Sequence, residues 1–387
     1  MLHATHAIHA TCAIHFTNVL ELKMTTITSF PSASRPRRPH TSLTTLMVAT
    51  VLSMTSLAAA AATEMPPFPE ITGDVVEGDG NDYNLKFNIG LTQSSAQYRG
   101  LEYFKQIVEQ RSDDHIEVQI FHSAQLGDDL QSVSALQAGT LEMTSPSTSP
   151  MVSMFPQFAV FDLPFLFPTP EIADKVLDGD IGQQMLEDAS TKGLVAIGWS
   201  ENGYRQLTNS KQAVTSPSDL DGLKVRTMQN PIHLDIWRTL GANPTPMSFA
   251  ELFTALEQGV VDGQENPWIT IESSKFNEVQ QYATATNHVY TPFITLVSER
   301  FWDRLPESYQ QLLREAAKQM GDYERQVSRT LNDQIKQELK DAGMQITELT
   351  PEQIATFQED LAPVYDDWRD KIGGDLIDRI RAESQTQ

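Results

Sequence analysis

The sequence predicts an α/β protein of two units tied together by one long helix. Three observations carry this expectation. After residue 82 the hydrophobic period switches between two and about three and a half, giving strand, helix, strand, helix, strand by residue 145. A second alternating unit follows over residues 193–267, beyond a proline-studded stretch at 145–170. An amphipathic pattern then runs from Pro306 to about Ala342, which at ~1.5 Å per residue spans roughly 55 Å, longer than a single small domain is wide. The chain of 387 residues is likewise long for one hydrophobic core and ordinary for two.

The first 62 residues are set apart from the fold. An uncharged run, "TLMVATVLSMTSLAAAAA" (45–62), follows the basic "RPRRPH" (35–40) and ends in alanines, the pattern of a secretory signal peptide cleaved near Ala62. Met1 and Met24 are both candidate starts. The only cysteine, Cys12, lies in this leader, so the processed chain is expected to have no disulfide, no thiol nucleophile and no cysteine at the cleavage point for a lipid anchor. Processing removes four basic residues and one acidic residue, taking the formal charge from −23 to −26. Nucleic acid and anionic membrane surfaces are poor partners for such a surface, and an anionic ligand must be held by locally placed cations.

Beyond a linker at 63–82, "YNLKFNIG" (83–90) reads as a strand, 95–112 as an amphipathic helix and "HIEVQIF" (115–121) as a strand. Residues 128–139 form a helix closed by Gly139, and "LEMTS" (141–145) a short strand, together the grammar of a largely parallel sheet. Phe155, Phe158, Phe161, Phe165 and Phe167 fill a core among loops and short pieces. In the second unit, "GLVAIGWS" (193–200) and "LKVRT" (223–227) are strands, Asn230–Leu240 and 249–259 are helices, and "VVDGQEN" (260–266) leads to a helix starting at Pro267. Both Asn-Pro pairs suit an asparagine N-cap followed by proline in the first turn. The tail is a further helical stretch interrupted near Gly373 and Gly374.

Catalysis finds little support. The histidines of the processed chain, His115, His122, His233 and His288, stand in no nucleophile-elbow context, no Walker, GxGxxG or HExxH motif occurs, and no spacing suggests a metal or cofactor site. The notable chemistry is basic and local. Arg205 in "ENGYRQLTNS" and Arg226 in "GLKVRT" sit in strand-like segments, bounded by Gly203 and Gly222. An arginine fork can bind a carboxylate through two parallel charged hydrogen bonds where a lysine cannot, although a strand-end arginine is equally at home as a solvated charge. Asn266 in "VDGQENP" is by itself a helix cap or, at a cleft, a donor and acceptor.

The run "NGYRQLTNS … GLKVRTMQNPIH … GANPTPMSFAELFTALEQGVVDGQENP … NHVYTPFITLVSERFWDRLP", with "HSAQLGDDLQSVSALQAGTLEM" (122–143), resembles the DctP family, the periplasmic solute-binding proteins of tripartite ATP-independent periplasmic (TRAP) transporters. The resemblance covers nearly all of the chain from about residue 83. It implies an α/β, two-lobed periplasmic binding protein with a long helix bridging both lobes. Lobe I would comprise 83–202 plus about 292–331, and lobe II 203–291 plus about 332–387. It implies that Arg226 makes the main salt bridge to a ligand carboxylate, with Arg205 and Asn266 as further contacts. It also implies partners in the small and large membrane subunits, a periplasmic location, a monomer and no cofactor. Relatives that bind sialic acid carry a glutamate where this chain has Ser147. The candidate contacts around the ligand are uncharged, Gln93, Ser94, Ser147, Thr148, Gln229 and Asn230, with His233 one turn into its helix. A hydroxyl-rich ligand needs many such partners, so the expected ligand is a sugar acid, a uronate or aldonate. A C4-dicarboxylate is the alternative, and a secreted sugar-acid enzyme or a sensor accessory is a more distant one.

Overall fold

The structure, a computed structural model, describes residues 65–385. The leader, with Cys12 and the expected cleavage near Ala62, lies outside the described residues. The first unit builds β1 (Tyr83–Asn88), α1 (Ala96–Arg111), β2 (Ile116–Phe121), α2 (Asp129–Ala138) and β3 (Met143–Thr144). Their ends follow local chemistry. Asp128 and Gln131 cap each other at the start of α2, and Gly139 ends it at φ 74°, a left-handed conformation that glycine adopts without strain. In the proline-rich stretch two 3₁₀ turns, Ser149–Ser153 and Pro156–Val160, bury Phe155, Phe158, Phe161 and Phe167 with Trp199 and Tyr290, while Phe165 is half-buried. Two short helices absent from the sequence reading follow, α3 (Pro170–Asp178) and α4 (Asp180–Ala189).

The rest of the chain forms β4 (Leu194–Tyr204), β5 (Gln206–Asn209), β6 (Lys224–Thr227), α5 (Pro231–Thr239), β7 (Asn243–Pro246), α6 (Phe249–Glu257), β8 (Gly263–Asn266) and α7 (Trp268–Ser273). Then come β9 (Tyr282–Ala285), β10 (Tyr290–Ser298), α8 (Glu299–Trp302), α9 (Glu307–Asp341), β11 (Gln345–Glu348), α10 (Pro351–Ile372) and α11 (Gly374–Gln385). The strands make two sheets, ordered β2-β1-β3-β10-β4 and β11-β9-β5-β8-β6-β7. After β4 a single residue, Arg205, separates the first sheet from β5 in the second. β10 returns antiparallel to β4, with Tyr290 opposite Tyr204 and Ser298 opposite Leu194. The first sheet is therefore mixed rather than largely parallel, because a strand coming back from the second sheet must run against the one that left.

The Asn-Pro pairs at 230–231 and 266–267 diverge. Asn230 caps α5, its Oδ1 accepting from the Ile232 amide at 3.0 Å. Asn266 instead ends β8 in register with Gln206, and Pro267 takes the cap position of α7. The antiparallel ladder holds Asn266 at the end of the strand, as the sequence reads it, and moves only the cap position on to Pro267.

Helix α9 has 35 residues and lays its buried stripe, Leu313, Ala316, Met320, Tyr323, Val327, Leu331, Ile335 and Leu339, against α1 and β4 of the first sheet's layer and α7 of the second's. The approach to β4 is close: a Cβ at Gly321 would stand 2.1 Å from the Trp199 carbonyl oxygen. The C-terminal helices touch both layers as well, α10 resting on α5 and on the Pro156–Val160 turn, and α11 on α3. The stretch expected as a linker is docked in its described part. Phe68 stacks on Tyr103 at 5.7 Å and beneath the Arg99 guanidinium at 3.5 Å, and Tyr323 Oη donates to the Pro66 carbonyl.

One polar group on α9 stands out. Glu324 is fully buried beside Gly100 of α1, and neither carboxylate oxygen has a hydrogen-bond partner. Burial pushes its pKa up to about 8 from an ordinary 4.5, helped by the Glu201 charge and opposed by Ser200 and Arg325. A folded-state pKa above the unfolded one gives stability that is complete below about 4.5 and lost as pH rises through about 8. Each unit of elevation corresponds to about 1.4 kcal/mol. Thermal melting from pH 4.5 to 8.5 should show this decline, and Glu324→Gln should flatten it and raise Tm by several degrees at the alkaline end.

Candidate ligand-binding site

A cleft lies between the sheets. The first sheet's side supplies Gly90, Gln97 of α1, Asp129 at the start of α2, Ser147 and the β4 residue Asn202; the facing side supplies Arg226, Gln229, Met247 to Ala250 and Asn266. Arg226 stands on β6 and is 2% exposed. Its Nε and Nη2 donate to the Met247 carbonyl at 3.1 and 2.8 Å, while Nη1 has no partner within the protein. The carbonyl holds one edge of the guanidinium and leaves the Nη1–Nη2 edge to a planar anion. Burial lowers the Arg226 pKa to about 10, with Arg205 adding to the fall and Glu265 and Asp129 opposing it, so the group remains a cation at neutral pH.

Arg205 follows a different course. It is fully buried and does not line the cleft. Its Nε and Nη2 grip the Glu265 carboxylate, and Nη2 also reaches Asn266 Oδ1 at 3.1 Å; Nη1 has no partner. Burial alone would raise the Glu265 pKa, yet the Arg205 charge, the hydrogen bond with His288 and the nearby His233 hold it well below the usual carboxylate range. Burial lowers the pKa of His288, against the pull of Glu265. His288 Nδ1 pairs with Thr286 Oγ1 at 2.7 Å. The ion pair thus anchors β8 to the junction after β4 and aims Asn266 at the cleft.

The other expected contacts divide in the same way. Ser147, Gln229 and Asn266 line the cleft with Arg226. Asn230 and His233 face Asp162, with Nδ2 to Oδ2 at 2.7 Å and Nε2 to Oδ1 at 2.9 Å. Thr148 is buried, with Oγ1 donating to the Pro292 carbonyl at 3.4 Å. Gln93 and Ser94 are exposed; Gln93 donates to Tyr98 Oη and Ser94 to the Ser273 carbonyl. Of these, Asn230 caps a helix.

Among the lining residues that the sequence reading does not name are Asp129, Gln97 and Asn202. Asp129 was hidden in a helix start, Gln97 inside an amphipathic pattern and Asn202 in a strand end; the polar Gln97 on an otherwise apolar helix face was the available signal. Asp129 Oδ2 accepts from the Ser147 amide at 3.2 Å. Burial pushes its pKa up to about 6, with Asp128 adding to the rise and the Ser147 hydrogen bond and Arg226 restraining it. Among the described residues no group of three or more His, Cys, Asp or Glu could hold a metal ion, and no helix is long and apolar enough to cross a membrane.

Residues 87–371 match the family described as DctP, bacterial extracellular solute-binding protein, family 7. The chain belongs to the DctP family. Among solved structures, the sugar acid binding protein of Advenella mimigardefordensis in complex with galactonate is 38% identical with a TM-score of 0.78, over 79% of this chain and 99% of that one. A TRAP periplasmic solute-binding protein of Polaromonas bound to D-erythronate is also 38% identical, with a TM-score of 0.76 over 78% of this chain and 99% of that one. The C4-dicarboxylate-binding periplasmic protein of Rhodobacter capsulatus is 33% identical over 77% of this chain and 90% of its own. DctP proteins are periplasmic binding proteins of transporters, not enzymes; they take small organic acids and work with membrane components.

Removing one partner of the Arg205–Glu265 pair leaves a buried charge without compensation, which costs about 3–5 kcal/mol. Glu265→Ala should therefore lower Tm by more than 10 °C or prevent folding, while Glu272→Ala, on the half-exposed face of α7, leaves Tm within 2 °C in the same melt.

Proposed function

We propose that this DctP protein captures a sugar acid, an aldonate or uronate, in the periplasm and delivers it to TRAP membrane subunits. The carboxylate sits on the free edge of Arg226, with Asn266 beside it. The observation that carries the reading is the pairing of that buried, half-engaged guanidinium with an opposite wall of acceptors. Asp129, Gln97 and Asn202 line it, and the buried Gln97 Oε1 and Asn202 Oδ1 have no partner in the protein. Hydroxyl groups satisfy acceptors and a second carboxylate does not. Arg205, which a dicarboxylate would need at its far end, is already neutralised by Glu265. The names of relatives support both classes, galactonate and D-erythronate on one side and C4-dicarboxylates on the other.

Function is then capture without reaction. The two lobes close around the acid, water leaves, and the charged hydrogen bonds of Arg226 strengthen in the drier site. β4 leads through Arg205 into the second sheet and the helix α9 packs on both layers, so closure moves them as a coupled frame. The protein acts as a monomer, freed from its leader near Ala62.

A thermal-shift screen against aldonates, uronates and C4-dicarboxylates tests the ligand, since saturation at a thousand times Kd adds ~4 kcal/mol to stability. Sugar acids should shift the melt; a shift by dicarboxylates alone would overturn the choice. Arg226→Ala should weaken the best ligand at least a hundredfold by calorimetry and Arg226→Lys leave a weak remnant, whereas wild-type affinity in the alanine variant would remove Arg226 from the site.

A further inference from the structure

Gln97 lies on the buried face of α1, where the helical period favours an apolar residue, and is 1% exposed. Its Nε2 donates to the Ser145 carbonyl at 2.8 Å. That bond fixes the amide, because the flipped arrangement would set two acceptors face to face. Gln97 lines the cleft, and its buried Oε1 has no partner in the protein.

Asn202 reaches the same cleft by another device. The pairing of β4 with β10 slips between Thr291 opposite Gly203 and Pro292 opposite Glu201, which makes Asn202 the extra residue of a β-bulge. Bulges re-aim a side chain beside functional sites. Here the bulge gives a 7% exposed asparagine whose Oδ1 also has no partner in the protein. Leaving one buried amide oxygen unpaired is destabilising, and two at one cleft call for an occupant that donates.

We propose that Gln97 is a specificity-determining residue, accepting a hydrogen bond from a ligand hydroxyl with Asn202 beside it, so that the cleft selects hydroxy acids over carboxylates without hydroxyls. This rests on the sugar-acid reading above and assigns the end of the ligand that Arg226 does not hold. A site built to pair a substrate hydroxyl discriminates strongly against the analogue lacking it, because its own buried polar group is then left alone.

The test is a double-mutant cycle between protein and ligand, read as Kd by calorimetry for galactonate and its single-deoxy analogues on the wild type and on Gln97→Met. The wild type should lose at least tenfold in affinity when one particular hydroxyl is removed. Gln97→Met should bind galactonate at least tenfold more weakly, and for that one analogue the two proteins should agree within about twofold. A merely structural role for Gln97, through its bond to Ser145, would weaken all analogues alike and overturn the proposal. If Gln97→Met does not fold, the wild-type series decides alone, and a series in which no hydroxyl is worth tenfold overturns it. If the wild type binds no hydroxy acid, the sugar-acid reading fails and this assignment falls with it; galactonate binding with a flat cycle removes only the role of Gln97.

Discussion

A buried arginine opposed by a buried glutamate governs the centre of this molecule. Arg205 is the single residue between the last strand position of the first sheet and the first of the second, and Glu265 lies on β8 beside it. Burying two charges is costly, and their mutual attraction repays it only with good geometry and further hydrogen bonds. Both conditions are met: the guanidinium also reaches the Glu265 carbonyl and Asn266, and His288 and His233 stand within 3.5 and 3.9 Å of the carboxylate. The junction between the sheets, the end of β8 and the wall of the cleft are consequently fixed by one cluster.

The division of labour between the two arginines follows from that cluster. Arg205 is neutralised and positions its neighbours. Arg226 has a backbone carbonyl as its protein hydrogen-bond partner, so its charge stays available to an anion in a protein whose overall charge repels one. Attraction is thus confined to one point of the cleft, and the acceptors on the other wall set what the rest of the ligand must carry. On the proposed reading, affinity for the carboxylate and selectivity for the body of the ligand would reside on opposite walls of the cleft.

The frame around the cleft shows how much of the fold serves this arrangement. β4 passes through Arg205 alone into β5 of the second sheet, the helix α9 packs against both layers, and α10 adds a contact of its own to each. Gly321 lets α9 lie directly on the β4 backbone, and Phe68 and Pro66 of the N-terminal segment fasten the outer side of α1 and α9. Glu324, held protonated by burial within this frame, carries a stability cost that grows with pH.

The sequence by itself determined the elements whose signals are local: the period of α9 between Pro306 and Ala342, the closing of α2 by Gly139, the Asn230 cap of α5, and the stretch of chain that resembles DctP. It also singled out Arg226, through the resemblance rather than through spacing. Only the tertiary structure decided that Pro267 rather than Asn266 takes the cap position of α7, that Asn230 and His233 turn to Asp162, and that Arg205 answers to Glu265. The latter pair is separated by 60 residues, and Asn230 and Asp162 by 68. A side chain's local pattern fixes which face of an element it occupies, but whether a buried polar atom meets a protein partner or a ligand depends on what distant segments bring to that face. Gln97, Asp129 and Asn202 became visible only once α1, α2 and the bulge in β4 were set around one cleft.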